Sequence, residues 1–243
     1  SLARRDYFAF SGGAALAPAA IEADVSLSDL RNPANGADYI VVAYDDFAAV
    51  PALGELLAVR AAEGLRTMAV KTSDIYDEFS DGVFDPYAIQ RFLEYAYINW
   101  QPPAPAYVLL LGDGNLNYRD FQGNNLGDNN TSAPNEINFV PPIMVDVDPL
   151  IRMASADNRF VALTPLGAPP EQKDLLAEMA VGRLPARSAD EAQAMLAKTV
   201  QYQTQPPEGD WRTAFAFFAD NYHRTDGTVD SAVEAIKAGA FDY

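Results

Sequence analysis

Short apolar runs alternate with amphipathic stretches along most of this 243-residue sequence. The apolar runs are too short to span a membrane. They predict buried strands at 39–44, 65–70, 107–111, 140–145, 160–163, 178–181 and 213–219. Apolar residues at helical spacing predict helices at 48–63, 73–79, 85–100, 188–202 and 228–238. Strands that alternate with helices indicate an α/β fold with a mainly parallel sheet flanked by helices.

Three local signals mark the ends of these helices. Gly64 follows the first helix, where a left-handed C-terminal cap is expected. Asp85 precedes Pro86, an order in which Asp caps the helix and Pro fits its first turn. Ser188 and Glu191 have the spacing of a capping box.

The distribution of Pro and Gly divides the chain into three predicted parts. Residues 1–36 form an irregular lead-in, residues 37–104 a first α/β subdomain, and residues 105–243 a second one beside it. The proline-rich stretch at 101–106 is the joint between the two subdomains. Residues 240–243 resemble the start of a further strand, so we expect the second subdomain to be incomplete at its C-terminus.

The chain is strongly acidic, with 34 Asp and Glu against 17 Lys and Arg and a formal net charge of −17. A field of this sign repels phosphate backbones and anionic lipid, which argues against nucleic-acid and membrane-surface binding. It favours cationic peptides or divalent metals as partners, although acidity also serves solubility. The sequence contains no cysteine, which excludes disulfides and a cysteine nucleophile from these 243 residues.

The strongest candidate for chemistry is the acid that follows the strand at 107–111. Gly112 breaks the strand, and Asp113 then lies at its carboxyl end, the edge of a parallel sheet where ligands and catalytic groups collect. Asp113, Asn115 and Asn117 also match the first ligand positions of an EF-hand loop, but the rest of that motif is missing. Two interpretations stay open: a calcium site of another geometry, or turns in which Asp and Asn bond their own backbone.

Other reaction classes have weaker support in the sequence. A Ser-His-Asp triad would have to use His223, the single histidine, which lies in a polar stretch, and no nucleophile-elbow motif is present. Asp45 and Asp46 disfavour nucleotide binding, because they occupy the turn where a glycine-rich phosphate loop would be needed. Glycoside hydrolysis needs two converging acids, for which strand-end residues such as Asp113 and Asp220 are candidates.

Several segments, in their order and spacing, resemble the gingipain-type cysteine peptidase family. They are ADYIVV at 37–42, IYDEFSDG at 75–82, DPYAIQRFL at 85–93, YVLLLGD at 107–113, ASAD at 154–157, and AVGRLP at 180–185 with the helix that continues to 202. The resemblance implies a caspase-like α/β fold and peptide-bond hydrolysis by a cysteine nucleophile that a histidine activates. It also implies secretion or display at the cell surface, and bound calcium.

The resemblance assigns roles to three acids. Glu178 matches the acid that orients the family's catalytic histidine, Asp157 is a candidate for binding the substrate, and Asp113 matches an acid that orders a loop or binds calcium. Arg183 is expected to pair with a neighbouring acid rather than to touch the substrate.

The family's reacting groups are not among these residues, because its Gly-His-Gly segment and its cysteine are both absent. We therefore expect this chain to be the N-terminal part of a secreted cysteine endopeptidase domain. It should be inactive by itself and should act on peptides or proteins only together with a C-terminal remainder of the domain. The alternative is a non-catalytic, calcium-stabilised adhesion or scaffold module of the same fold.

Overall fold

Four strands of the described part of the chain form one parallel sheet. The computed structural model describes residues 28–115, 138–148, 152–163, 176–209, 211 and 213–214. Its strands are, in chain order, β1 (Tyr39–Ala43), β2 (Thr67–Lys71), β3 (Tyr107–Leu111), β4 (Met144–Asp148), β5 (Arg152–Ser155) and β6 (Ala180–Leu184). The sheet has the order β2-β1-β3-β6 and is parallel throughout, while β4 and β5 form a separate antiparallel pair. The predicted α/β fold with a mainly parallel sheet is confirmed.

Helices cover both faces of this sheet. They are α1 (Pro51–Ala62), α2 (Thr72–Ser80), α3 (Pro86–Asn99) and α4 (Ala189–Thr204), with 3-10 helices at Asp45–Phe47 and Asp157–Phe160. One face packs against α2 and α3, where Ile89, Phe92 and Leu93 are fully buried. The other face packs against α1 and the first half of α4, through Leu56 and Leu196. Burial on both faces explains why the two central strands, β1 and β3, are apolar runs rather than alternating ones.

Two predicted helix caps are present, one of them in modified form. Asp85 precedes α3 and its side chain accepts a hydrogen bond from the Tyr87 amide at 3.0 Å. Ser188 precedes α4, and its Oγ accepts from the Glu191 amide at 3.2 Å. The Glu191 carboxylate accepts from the Arg187 amide at 2.8 Å, one residue before the position that a capping box uses.

The prediction of a strand at 160–163 is wrong. Residues Asp157–Phe160 form a 3-10 helix instead, and the Val161 amide continues the turn by donating to the Asn158 carbonyl at 3.2 Å. Phe160 and Val161 are fully buried in the core beside α2 and α3. This apolar run therefore reflects packing and not strand pairing, two causes that a short run cannot distinguish.

Three other predicted strands are displaced along the chain, and one of them is β2, which covers residues 67–71 rather than 65–70. β4 begins only at Met144, because Pro141 and Pro142 lack the amide hydrogen that a strand ladder needs. β6 covers residues 180–184 rather than 178–181, since these five residues pair one to one with β3. The short strand β5 has no counterpart among the predicted elements.

Residues 28–31 are bound by hydrogen bonds to α2 and to Trp100, the residue directly after α3. The carboxylate of Glu78 in α2 accepts from Ser28 Oγ at 2.6 Å, from the Leu30 amide at 2.8 Å and from the Arg31 amide at 3.1 Å. Trp100 Nε1 donates to the Leu30 carbonyl at 2.9 Å, and the Leu30 side chain is 3% exposed. The described end of the predicted lead-in is thus held against the core.

The chain divides into two compact units between Val200 and Gln201. The predicted subdomain boundaries at 36–37 and 104–105 stay predictions. Within the described ranges no helix is long and apolar enough to cross a membrane. The strand predicted at 213–219 lies largely outside the described residues, and the helix predicted at 228–238 lies wholly outside them.

Candidate active-site edge of the sheet

The carboxyl ends of the four parallel strands form one edge, which we call the carboxyl edge. Asp45 lies just beyond β1, Thr72 directly follows β2, Gly112 follows β3 and Pro185 follows β6. The Gly112 amide donates to the Leu184 carbonyl at 2.9 Å, so hydrogen bonding between β3 and β6 continues past the end of β3. In open parallel sheets this edge is where ligands and catalytic groups collect.

Asp113 lies at this edge, where the sequence places it, and two donors engage its carboxylate. Oδ1 accepts from the Gly114 amide at 2.9 Å, and Oδ2 accepts from Arg187 Nε at 2.7 Å. The Asp113 amide itself donates to the Ala186 carbonyl at 2.8 Å. Asp113 therefore ties the end of β3 to the segment that follows β6.

Glycine is required at two positions after β3 because another segment comes very close. Gly112 has a φ of +148°, and a Cβ on it would lie 2.8 Å from the Phe139 Cβ. A Cβ on Gly114 would lie 2.5 Å from the Val140 carbonyl oxygen. The Asp113 carbonyl accepts from the amides of Phe139 and Val140, each at 3.0 Å. Both glycines thus permit a contact that any side chain would disrupt.

The candidate calcium ligands that the structure describes already have protein partners. Asn115 Oδ1 accepts from Asn138 Nδ2 at 3.0 Å, and Asn138 Oδ1 accepts from the Asn115 amide at 2.6 Å. A cation at Asp113 would compete with the Arg187 guanidinium for the same carboxylate. These oxygens are therefore not free ligands in this conformation, and Asn117 lies outside the described residues.

The calcium site stays a prediction. The residues that the structure describes contain no group of three or more His, Cys, Asp or Glu side chains that could hold a metal ion.

Asp157, the candidate substrate-binding acid, forms an ion pair with Arg183 of β6. Arg183 Nη2 donates to Asp157 Oδ1 at 2.7 Å and Nε donates to Oδ2 at 2.8 Å, a bidentate geometry. Arg183 Nη1 also donates to the carbonyls of Gly112 at 2.7 Å and Val140 at 2.8 Å. Arg183 thus pairs with a neighbouring acid as expected, and both oxygens of Asp157 are engaged.

Glu178 lies at the opposite edge of the sheet from Asp113, because it precedes β6 rather than following it. Its Oε2 accepts from the Leu163 amide at 2.8 Å, and its own amide donates to the Val161 carbonyl at 3.0 Å. The structure brings Asp113, Arg183 and the segment after β6 together but leaves Glu178 apart from them. The role of Glu178 in orienting a histidine stays a prediction.

Asp45, another acid at the carboxyl edge, holds the start of α2. Its carboxylate accepts from Thr72 Oγ1 at 3.1 Å, from the Ser73 amide at 3.3 Å and from Ser73 Oγ. Burial raises the pKa of the nearby Asp74 above its ordinary value; Lys71 opposes this rise, and the charge of Asp45 adds to it. These contacts stabilise a helix start, which is sufficient reason for the acid at position 45.

Two residues of the edge have no role in the sequence prediction. Arg187 could have been found, because it lies three residues after β6 and β6 neighbours β3 in the sheet. Asn138 gives no local signal, since its partner Asn115 lies 23 residues away. The candidates His223 and Asp220 lie outside the described residues.

Comparison with known protein families identifies the chain. The model of peptidase family C25 matches residues 32–242. The chain belongs to peptidase family C25. The resemblance to gingipain-type peptidases is therefore confirmed. No curated protein gives a significant match.

A solved structure supports the same fold. The crystal structure of dimeric latent PorU from Porphyromonas gingivalis matches with a TM-score of 0.56 and 24% sequence identity. The match covers 74% of this C25 chain and 17% of the PorU chain. The caspase-like α/β fold is thus shown, and the chain spans about a sixth of the length of the PorU chain that it matches.

Proposed function

We propose that this C25 chain is part of the peptidase domain of a secreted, gingipain-like cysteine endopeptidase. The single observation that supports this most strongly is the family match over residues 32–242. The substrates proposed are peptides and proteins, as the family suggests. A chain of net charge −17 favours substrates with basic residues, by the same field that repels anionic partners.

The proposed reaction uses a thiol that these 243 residues do not contain. A histidine accepts the thiol proton, and the thiolate attacks the carbonyl carbon of the scissile bond. The C–N bond then breaks, the amine takes the proton back from the histidine, and a thioester remains. Water hydrolyses the thioester and restores the thiol. We propose that the cysteine and histidine are supplied by the remainder of the domain, and that the isolated chain is inactive.

The second candidate is a non-catalytic module of the same fold that serves adhesion or scaffolding. It differs from the first in that no further segment supplies a cysteine and a histidine to the reaction, and these 243 residues contain no cysteine. In this proposal calcium at Asp113, Asn115 and Asn117 would stabilise the module. Secretion or surface display belongs to both proposals.

A peptidase assay separates the two proposals. The 243-residue chain and the full-length gene product are assayed on fluorogenic peptides with Arg, Lys or Ala on the acyl side of the scissile bond. We expect no turnover by the chain, turnover by the full-length protein, and loss of turnover when the downstream cysteine is replaced by Ala. Hydrolysis that survives this replacement contradicts the mechanism, and a full-length protein without any activity favours the scaffold.

Calorimetry tests the metal separately. Calcium is titrated into the chain and into its D113N variant, and the melting temperature of each is measured with and without the ion. Heat and a melting shift in the original chain that D113N lacks support the site. No heat and no shift in the original chain contradict it.

A further inference from the structure

We propose that Arg183 is a positioning residue for the peptidase reaction. It would act by fixing the backbone after β3, and the inference therefore rests on the proposed function. We call Arg183, Asp157 and the carbonyls of Gly112 and Val140 the Arg183 clamp. Its members come from four separate segments: β6, the 3-10 helix at 157–160, the end of β3, and residues 138–143.

The clamp uses most of the hydrogen-bonding capacity of one guanidinium. Nε and Nη2 bind the Asp157 carboxylate, while Nη1 serves both carbonyls, all at 2.7 to 2.8 Å. The Arg183 side chain is only 14% exposed, so few water molecules compete for its donors. A lysine could supply a charge here but not this planar fork, because its three donors radiate from a single nitrogen.

The two carbonyls that Arg183 binds lie on either side of the backbone contact between Asp113 and Val140 at the carboxyl edge. Gly112 precedes Asp113, and Val140 donates its amide to the Asp113 carbonyl at 3.0 Å. By holding Gly112 and Val140 together, the clamp fixes the backbone on which the Asp113 carboxylate is mounted. Gly112, at a φ of +148°, lies in a conformation that this external restraint helps to maintain.

Fixing this backbone matters for a peptidase because rate depends steeply on geometry. A displacement of about 1 Å in groups that position a substrate lowers activity by roughly 100-fold. Asp157 is the anchor for Arg183 in this scheme, since both of its oxygens face the guanidinium. It therefore contributes to reaction geometry through Arg183 and not by direct contact with a basic substrate side chain.

The same chain provides a matched control at the amino edge of the sheet. Arg66 binds the Asp38 carboxylate through Nε at 3.1 Å and Nη2 at 2.8 Å, and it donates to the carbonyls of Gln101 at 3.1 Å and Pro103 at 2.5 Å. Asp38 precedes β1 and Arg66 precedes β2, so this second clamp lies away from the carboxyl edge. The bonding pattern is similar, but the Arg66 side chain is 36% exposed and that of Arg183 only 14%.

The experiment compares R183K with R66K in two settings. In the 243-residue chain, hydrogen exchange should become at least tenfold faster in R183K at the amides of Gly112, Asp113, Phe139 and Val140, and R66K should leave these amides unchanged. In the full-length peptidase, R183K should lower kcat/KM by about 10- to 100-fold, mainly through kcat, while R66K stays within about twofold. D157N is the second variant, because it weakens the clamp while Arg183 remains.

The outcomes separate the failure of this inference from the failure of the proposed function. Unchanged exchange at the four amides in both R183K and D157N overturns the clamp. An equal loss of kcat in R66K and R183K shows a general loss of stability and also overturns it. If exchange becomes faster in the variants but the unsubstituted full-length protein hydrolyses no peptide, the peptidase function is refuted. Any role of Arg183 in catalysis is then refuted with it.

Discussion

Replacing Glu78 should loosen the attachment of residues 28–31, which precede β1, to α2. In the structure the Glu78 carboxylate accepts three hydrogen bonds, from Ser28 Oγ and from the amides of Leu30 and Arg31. The Glu78 backbone carbonyl, which substitution preserves, accepts two more from the Arg31 guanidinium, at 3.1 and 2.8 Å. The Glu78 carboxylate thus binds the backbone of residues 30 and 31 directly.

The magnitude follows from the number and exposure of these bonds. Each contributes about 1 kcal/mol net, since the charged acceptor strengthens it and partial exposure weakens it. We therefore expect Glu78→Ala to lower the free energy of unfolding by about 2–3 kcal/mol, and Glu78→Gln, which keeps one carbonyl oxygen as acceptor, by about 1–2 kcal/mol. Leu30 buries its side chain and remains a second point of attachment, so the fold itself should persist.

Urea unfolding and limited proteolysis provide the measurements. Glu55 is the matched control, because it is an exposed acid in α1 and its replacement by Gln should change stability by less than about 0.5 kcal/mol. Trypsin should cleave after Arg31 faster in Glu78→Ala than in the original chain. Equal stability of Glu78→Ala and Glu55→Gln, with unchanged cleavage at Arg31, would refute this reasoning.

Three further predictions concern the core, the pH dependence and the carboxyl edge. Phe92→Ala should lower the free energy of unfolding in urea by about 3–5 kcal/mol, because this ring is fully buried. Ile98 lies on the same helix and is 66% exposed, so Ile98→Ala should lower it by less than about 0.5 kcal/mol. Similar values for both variants would contradict the packing. The Arg66 guanidinium lowers the pKa of Asp38, so this carboxylate stabilises the fold above its unfolded-state pKa of about 3.9 and loses that effect as the pH falls through the lower folded-state pKa. D38N should accordingly be less stable than the original chain at pH 7, and the difference in stability should shrink in acid. A difference that grows in acid would contradict a lowered pKa for Asp38. Gly112→Ala should lower the free energy of unfolding, measured by thermal melting, by about 2 kcal/mol or more, because φ is positive and atoms of Phe139 and Val140 lie close. An unchanged melting temperature would disprove that close approach.

The sequence was most informative where one local cause determines structure. The strand at 107–111 has the predicted bounds because five apolar residues end at a glycine with positive φ. Gly64 has a φ of +92° after α1, as its capping position predicts, and Asp85 caps α3. These signals act within a few residues and need no knowledge of tertiary contacts.

The sequence was least informative where the structure of a residue depends on contacts with segments far away in the chain. Phe160 is apolar because it packs in the core, and nothing local distinguishes this from strand pairing. Glu178 precedes β6 only because β3 fixes the register of that strand at Ala180. The partnership of Arg183 with an acid could be expected, but its bonds to the carbonyls of Gly112 and Val140 depend on segments that lie 71 and 43 residues away, respectively.

Active-site titration of the full-length protein tests whether this C25 chain belongs to a working cysteine peptidase. A peptidyl acyloxymethyl ketone, which alkylates reactive thiolates, is added in substoichiometric steps while hydrolysis and intact mass are followed. We expect activity to fall in proportion to the label and to reach zero at one equivalent on one cysteine. Hydrolysis that continues after complete labelling, or that proceeds without any labelled cysteine, would show that no cysteine thiolate carries the reaction.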